Sequence, residues 1–464
     1  MTTIQDITSP MSAPERRATL SLASIYALRM LGLFLIMPVI SLFSEQLAGS
    51  TPALIGWAIG AYGLTQAIFQ IPFGLLSDRL GRKKIIVIGL LLFAAGSIIA
   101  ALSSSIYGVL LGRAIQGSGA IAGPIMALLA DLTQEVHRTK AMALIGASIG
   151  LSFGVAVTGG PALAAIIGMH GLFWLITGFS LLAIVMIVYL VPNPQQVKKH
   201  RDTELIPANL SQVIQNLELM RLDYGIFSLH LILSASFVIV PLLMRDAGLF
   251  PAEHWKVYLP VFIGSMAAII PFVILAETKQ QMKGVFLGAI VVLITSNLGL
   301  MFWHDSLLGI IVFLGLFFCA FNLLEATLPS LVSKTAPADL RGTAMGIYST
   351  TQFLGAGLGG ALGGWCYGNF GAGAVFLLCA AAALSWLLVS FNMKAPRYWS
   401  NLLISLESFT DQAVDELANE MLKINGIEEV TLHLEEAVAY LKVDRQKLDA
   451  QRLQSLIRQA TAAG

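Results

Sequence analysis

The stretch Gly74-Leu75-Leu76-Ser77-Asp78-Arg79-Leu80-Gly81-Arg82-Lys83-Lys84 decides how the chain is read. It joins two apolar runs, 53–76 and 84–102. A helix needs about 20 mostly apolar residues to cross a ~30 Å hydrocarbon layer, and both runs meet that length. Between two such helices, Arg79, Arg82, Lys83 and Lys84 belong at an anionic inner leaflet. Gly81 allows a tight turn. Asp78, at a helix end, can face the positive N-terminus of another helix.

Working outward, the same template finds twelve spans: 19–43, 53–76, 84–102, 106–129, 140–166 and 170–191, then 223–245, 255–276, 283–303, 307–333, 342–366 and 371–393. Composition agrees. Charged residues are 12% of the 464, against about 25% in soluble domains, and mean hydropathy is +0.78. A net charge of +1 offers no field for nucleic acid. Cys319, Cys366 and Cys379 lie far apart in apolar stretches and read as small hydrophobes, neither disulfides nor a zinc site. Residues 1–17 lack the charged-then-apolar start of a cleavable signal. With the N-terminus inside, 18 basic residues fall in inside segments and 2, Arg245 and Lys256, in outside loops, so both termini are expected in the cytoplasm.

The expected division is a six-helix half over 1–191, a cytoplasmic central loop over 192–222 holding Lys198, Lys199 and Arg201, a second half over 223–394, and a tail over 398–464. Two matches relate the halves. Pro72-Phe73 and Asp78 align with Pro271-Phe272 and Glu277 at an offset of 199. Arg138, Ala141, Met142 and Gly154 align with Arg341, Ala344, Met345 and Gly357 at an offset of 203. Parallel repeats with a site between them are a transporter architecture. In the tail, Leu402, Ile404 and Leu406 alternate like a strand, and Val414, Leu417, Met421 and Ile424 form a helical stripe ending before Gly426. Val430, Leu432 and Leu434, then Ala437, Ala439, Leu441 and Val443, alternate again, and Leu453, Leu456, Ile457 and Ala460 give a last helix. The order βαββα is that of a small α+β, ferredoxin-like module, without the C-x-x-C of its metal-binding versions.

The loop of residues 74–84 resembles the G-x-x-x-D-[RK]-x-G-[RK]-[RK] signature of the major facilitator superfamily, at every fixed position. Gly112-Arg113-Ala114-Ile115-Gln116-Gly117 in the fourth span is similar to that family's R-x-x-Q-G motif. Gly146, Gly150, Gly154, Gly159, Gly160 and Pro161 in the fifth resemble its glycine-rich antiporter motif G-x-x-x-G-P, although Val155 follows Gly154 where the proline is expected and the proline comes only at 161. The resemblance covers about residues 19–394 and points to the drug:proton antiporter branch, among transporters with a small cytoplasmic C-terminal domain. It implies an all-α polytopic fold in a bacterial inner membrane and a latch for the outward-facing state. The latch would join Gly74, Asp78, Arg79, Gly81, Arg82, Lys83 and Lys84 to the start of the eleventh helix at Gly342-Thr343, with Arg82 also able to meet Asp131.

Ionisable groups inside spans are costly and functional by default. At 1.5 Å per residue, Glu325 lies about 12 Å and His230 about 10 Å from the cytoplasmic side. Arg29 lies about 15 Å deep, and Arg113 about 10 Å from the outer face. Glu325 is the one carboxylate placed well inside a span, and is the first candidate to carry a proton; His230, because a free imidazole has a reference pKa of about 6.5, is the second. Asn322 and Arg29 are possible structural partners of Glu325, and Gln116 joins the cavity candidates. Two arginines against one acid do not favour a strongly cationic cargo. The expected function is a proton-driven exporter of small molecules working by alternating access, with the proton gradient as energy source and no cofactor or metal. A uniporter or symporter on the same fold, or a membrane sensor signalling through the tail, stays open. Residues 398–464 could bind a regulatory ligand or self-associate. An enzyme is least favoured, because no H-E-x-x-H, phosphate loop or acid–base pair is found in the spans.

Overall fold

The computed structural model describes residues 11–193, 209–337, 340–394, 400–405, 411–433, 438–444 and 447–463. The helices of the apolar body are α1 (Ala13–Leu35), α2 (Met37–Ser44), α3 (Pro52–Leu80), α4 (Arg82–Leu102), α5 (Ile106–Ser118), α6 (Ala122–Leu132), α7 (Glu135–Tyr189), α8 (Leu210–Gln215), α9 (Leu217–Asp246), α10 (Trp255–Thr278), α11 (Met282–Trp303), α12 (Leu307–Thr335), α13 (Arg341–Phe370) and α14 (Ala372–Phe391). Ten helical stretches in it are long and apolar enough to cross a membrane. Large apolar side chains such as Leu20, Ile68, Leu91, Leu151 and Leu388 are at least half exposed, as a lipid-facing surface requires.

Local chemistry sets the ends and breaks. Ser12 and Glu15 form a capping box at the start of α1. Thr51, with Pro52 in the first turn, opens α3. Gly81, at φ 98°, turns the chain from α3 into α4, a conformation a side chain would strain. Pro38 follows the break between α1 and α2, and Gly119, at ψ 61°, separates α5 from α6. Inside α7, Gly168 at φ 71° and ψ 173° is non-helical, and the helix is two segments meeting there.

The central loop corrects one expectation. Residues 192–222 are not all loop: α8 begins at Leu210 and α9 at Leu217, well before the expected start at 223. Asn216 explains the early start, because its Oδ1 accepts from the Glu218 and Leu219 amides and caps α9. Lys198, Lys199 and Arg201 lie outside the described residues.

One large apolar core gathers α9–α14, joined by Phe153 and Val157 of α7, and two smaller ones gather α1–α7 with Val238. Helix α13 packs against both groups, and its glycines divide by face. A Cβ on Gly355 or Gly359 would lie 2.2 Å from the carbonyl oxygen of Phe227 or Leu231. One on Gly363 would lie 2.8 Å from the Ala235 Cα. These three glycines, at i, i+4 and i+8, let α13 lie parallel against α9. On another face Gly357, Gly360 and Gly364 meet Gly63, Gly60 and Gly56 of α3 in antiparallel order, with backbone contacts of 2.2–2.8 Å for the missing Cβ atoms. At that end of the bundle Arg245 of α9 also pairs with Glu45 beyond α2, at 2.6 Å. At the opposite end, near the Asp78 loop, a Cβ on Gly74 would meet nothing within 4 Å. The parallel and antiparallel registers put the Leu80 end of α3 on the same side as the starts of α9 and α13.

The tail contains β1 (Ser400–Ser405), α15 (Asp411–Leu422), β2 (Ile427–His433), β3 (Val438–Val443) and α16 (Ala450–Ala463). Its antiparallel sheet runs β1-β3-β2, with Leu441 opposite both Leu402 and Val430. Leu417, Met421, Ile424, Leu441, Val443, Leu453 and Ile457 form a core separate from those of the body. Leu406, Leu434 and Ala437 lie outside the described residues, as does Arg397.

Candidate functional site

The Asp78 loop is built at the junction of α3 and α4. Arg82, in the first turn of α4, is almost fully buried and bonds Asp78 through Nη1 at 2.7 Å. Its Nε bonds Asp131 in the last turn of α6, so one guanidinium ties three helices. Lys83 Nζ donates to the Val191 carbonyl at 2.6 Å, past the end of α7. Arg79 and Lys84 are exposed. Gly342 is buried in the first turn of α13.

A second cluster occupies the middle of α1, α3, α4 and α5. Arg29 Nη2 donates to Gln66 Oε1 and to the Gly119 carbonyl, both at 2.7 Å. It thereby satisfies a carbonyl that the α5–α6 break releases. Gln66 passes a bond to Gln70 at 2.9 Å. Arg113 stacks over the Tyr62 ring at 4.8 Å, donates to the Ala58 carbonyl at 3.3 Å and bonds Gln116 Oε1 at 2.8 Å. Gln116 Nε2 then donates to Ser97 Oγ at 2.7 Å.

The third cluster brings together α9, α12 and α13. Gln352 Nε2 lies 2.8 Å from His230 Nε2 and donates to Glu325 Oε1 at 3.2 Å. His230 Nε2 is 3.8 Å from Glu325 Oε2. One primary amide, with two N–H donors, thus spans the imidazole and the carboxylate. Glu325 has neither Arg29 nor Asn322 as a partner: Arg29 serves Gln66 and Gly119, and Asn322 Nδ2 donates to Ser265 Oγ at 2.9 Å.

Sequence reasoning missed four participants. Gln66, Gln70 and Gln352 are polar residues inside apolar runs, the signal that singled out Glu325. Asp223 stands at the expected edge of a span, yet it is 3% exposed, in the second turn of α9. Glu325, whose side chain is 36% exposed, is therefore not the single acid inside a helix of the body. Early capping at Asn216 draws Asp223 into the helix.

This arrangement of long apolar helices, paired across α3 and α13, can be set against known proteins. The sequence matches the Major Facilitator Superfamily model over residues 22–360 and, in an overlapping match, 261–410. The chain belongs to the major facilitator superfamily. It is 46% identical over 450 residues to the inner membrane transport protein YajR of Escherichia coli, covering 97% of this chain and 99% of that one. It is 27% identical over 360 residues to the multidrug resistance protein MdtH of Aeromonas salmonicida, covering 77% and 87%. The human organic anion transporter MFSD10 shares the fold, with a TM-score of 0.61 at 20% identity over 82% of this chain and 100% of that one. This major facilitator protein is therefore a membrane transporter and not an enzyme.

Proposed function

We propose that the protein is a proton-coupled exporter of small molecules, with Glu325 as proton carrier and His230 and Gln352 as its immediate partners. The observation that carries this reading is the Glu325 carboxylate, held inside α12 by groups from two other helices. Its hydrogen bond comes from the neutral Gln352 amide, the His230 imidazole lies 3.8 Å from its other oxygen, and no arginine or lysine pairs it among the described residues. Such a group can take and lose a proton at modest cost, because no fixed salt bridge must break. Protonation removes its negative charge from the span and turns it from acceptor into donor toward His230. That changes the interactions among α9, α12 and α13, and α13 touches both halves.

The body is read as twelve spans in two six-helix halves, with α7 counted as two helices and the Asp78 loop and both termini in the cytoplasm. Packing of α3 on α13 away from that loop supports a state closed at the outer side. Gly74, Asp78, Arg79, Gly81, Arg82, Lys83 and Lys84, with Asp131, would meet the start of α13 at Gly342 as a latch when the inner side closes. Arg29, Arg113, Gln116 and Asn322 would frame the cavity, taking a small-molecule substrate from the cytoplasmic side. The multidrug name of one relative supports export.

Reconstituted full-length protein tests the carrier. Glu325→Gln is expected to abolish flux driven by a pH gradient while the purified variant stays folded. Full gradient-driven flux in Glu325→Gln would overturn the assignment.

A further inference from the structure

Near the Glu325 cluster the buried polar atoms with no hydrogen-bond partner among the described residues include Glu325 Oε2, His230 Nδ1, the Tyr348 hydroxyl and Asp223 Oδ2. Asp223 and Tyr348 are each 3% exposed. Leaving one such group unsatisfied costs about 1–3 kcal/mol, more for a charge, so several in one region call for a reason. Their positions follow from helix geometry. His230 and Gln352 touch, which sets a common level on the parallel helices α9 and α13. Tyr348 lies four residues before Gln352 on the same face of α13, about 6 Å nearer the Asp78-loop end. Asp223 lies seven residues before His230 on the same face of α9, about 10 Å nearer that end. Tyr348 is within electrostatic reach of both Glu325 and Asp223.

We propose that Asp223 is a second proton-binding site, joined to Glu325 through the Tyr348 hydroxyl, so that protons pass between Glu325 and the Asp78-loop side of the membrane. The relay rests on the reading of Glu325 as carrier and extends it. In this conformation the Tyr348 hydroxyl bonds neither carboxylate; once helix movement brings it to both, the Glu325 proton goes to the Tyr348 oxygen as the Tyr348 hydroxyl proton goes to the Asp223 carboxylate. Tyrosine is neutral before and after; the negative charge moves from Asp223 to Glu325, and Asp223 then releases its proton toward the loop side. The surroundings permit this. Helix α13 faces Asp223 with Tyr348, and its Arg341 lies in the first turn, seven residues earlier. Helix α12 contributes Glu325, with Lys334 only in its last turn. Helix α14 places Trp386 against Gly225, and neither Trp386 nor Ser390 titrates. Helices α2 and α8 carry no charged residue, and the charges of α3, Asp78 and Arg79, lie in its last turn. On α9, Arg221 is held by Glu218 at 2.7 Å. Asp223 itself forms no ion pair among the described residues.

Infrared difference spectra of the purified full-length protein, recorded through a pH titration, test this without a transported substrate. Wild type is expected to show two buried carboxyl bands. Asp223→Asn should remove one and Glu325→Gln the other, while Tyr348→Phe keeps both. In stopped-flow pH jumps followed with a pH-sensitive dye, Tyr348→Phe should slow proton uptake at Glu325 at least tenfold. Asp223→Glu should restore the lost band, separating loss of the carboxyl from loss of the fold. An Asp223→Asn spectrum with both bands, or wild-type proton uptake in Tyr348→Phe, overturns the relay and leaves Glu325 as carrier. Loss of a band in Asp223→Asn but none in Glu325→Gln overturns the carrier reading and the link together.

Discussion

Arg82 shows how one side chain can join a loop motif to the packing of a bundle. Its guanidinium bonds Asp78 and Asp131, and the Asp131 side chain is fully buried. Arg82→Gln deprives that buried carboxylate of a cation and should cost about 3 kcal/mol of stability. The loss should appear as a lower thermal midpoint in detergent, and the double variant Arg82→Gln with Asp131→Asn should recover much of it. No recovery in the double variant would mean that Arg82 acts on something other than Asp131. Two features of the site were legible residue by residue: the spacing of Asp78 and Gly81, and the presence of Glu325 inside an apolar run. Gln352 was not, because an amide in a span gains meaning only from what it touches. Here it touches residues 122 and 27 positions away.

At the scale of elements, α13 carries two glycine faces with different duties. Gly359 lets it lie on α9, within one group of helices, whereas Gly360 lets it lie on α3, in the other. Gly359→Leu would press a side chain into the Leu231 backbone and should cost about 1–3 kcal/mol of stability. Gly360→Leu would press one into the Gly56 and Gly60 backbone and should instead separate the ends of the halves remote from the Asp78 loop. Spin-label distances across those ends would lengthen in Gly360→Leu and change little in Gly359→Leu. Identical behaviour of the two variants would refute this division. The glycines of α7 differ: a Cβ at Gly146, Gly150 or Gly159 meets nothing within 4 Å, whereas Gly154 faces the Phe262 ring and Gly160 the Leu35 carbonyl. Close small-residue packing therefore accounts for the last two alone in this conformation.

For the molecule as a whole, a poorly charged membrane body is joined to a tail with a core of its own. The tail's strands and helices were readable because alternation and helical periodicity are local signals. Because its core is separate, truncation after Lys394 should leave gradient-driven flux within about twofold of the full chain. Loss of membrane insertion or folding on truncation would show instead that the body depends on the tail.

The apolar helical character of the body, the basic loops and the Asp78 signature were legible in the sequence alone, because hydropathy, charge and turn chemistry act over tens of residues or fewer. The start of α9 escaped because a single side-chain cap at Asn216 overrode the polar composition before it. Only the tertiary structure decided which buried charges meet. Arg29 and Glu325 have the same standing in the sequence, yet one supports a helix break and the other shares an amide with a histidine. The physical reason is that an ionisable group in an apolar span must be satisfied by whatever neighbouring helices bring within about 3 Å. That choice is made by helix packing, here by which face of α13 lacks side chains.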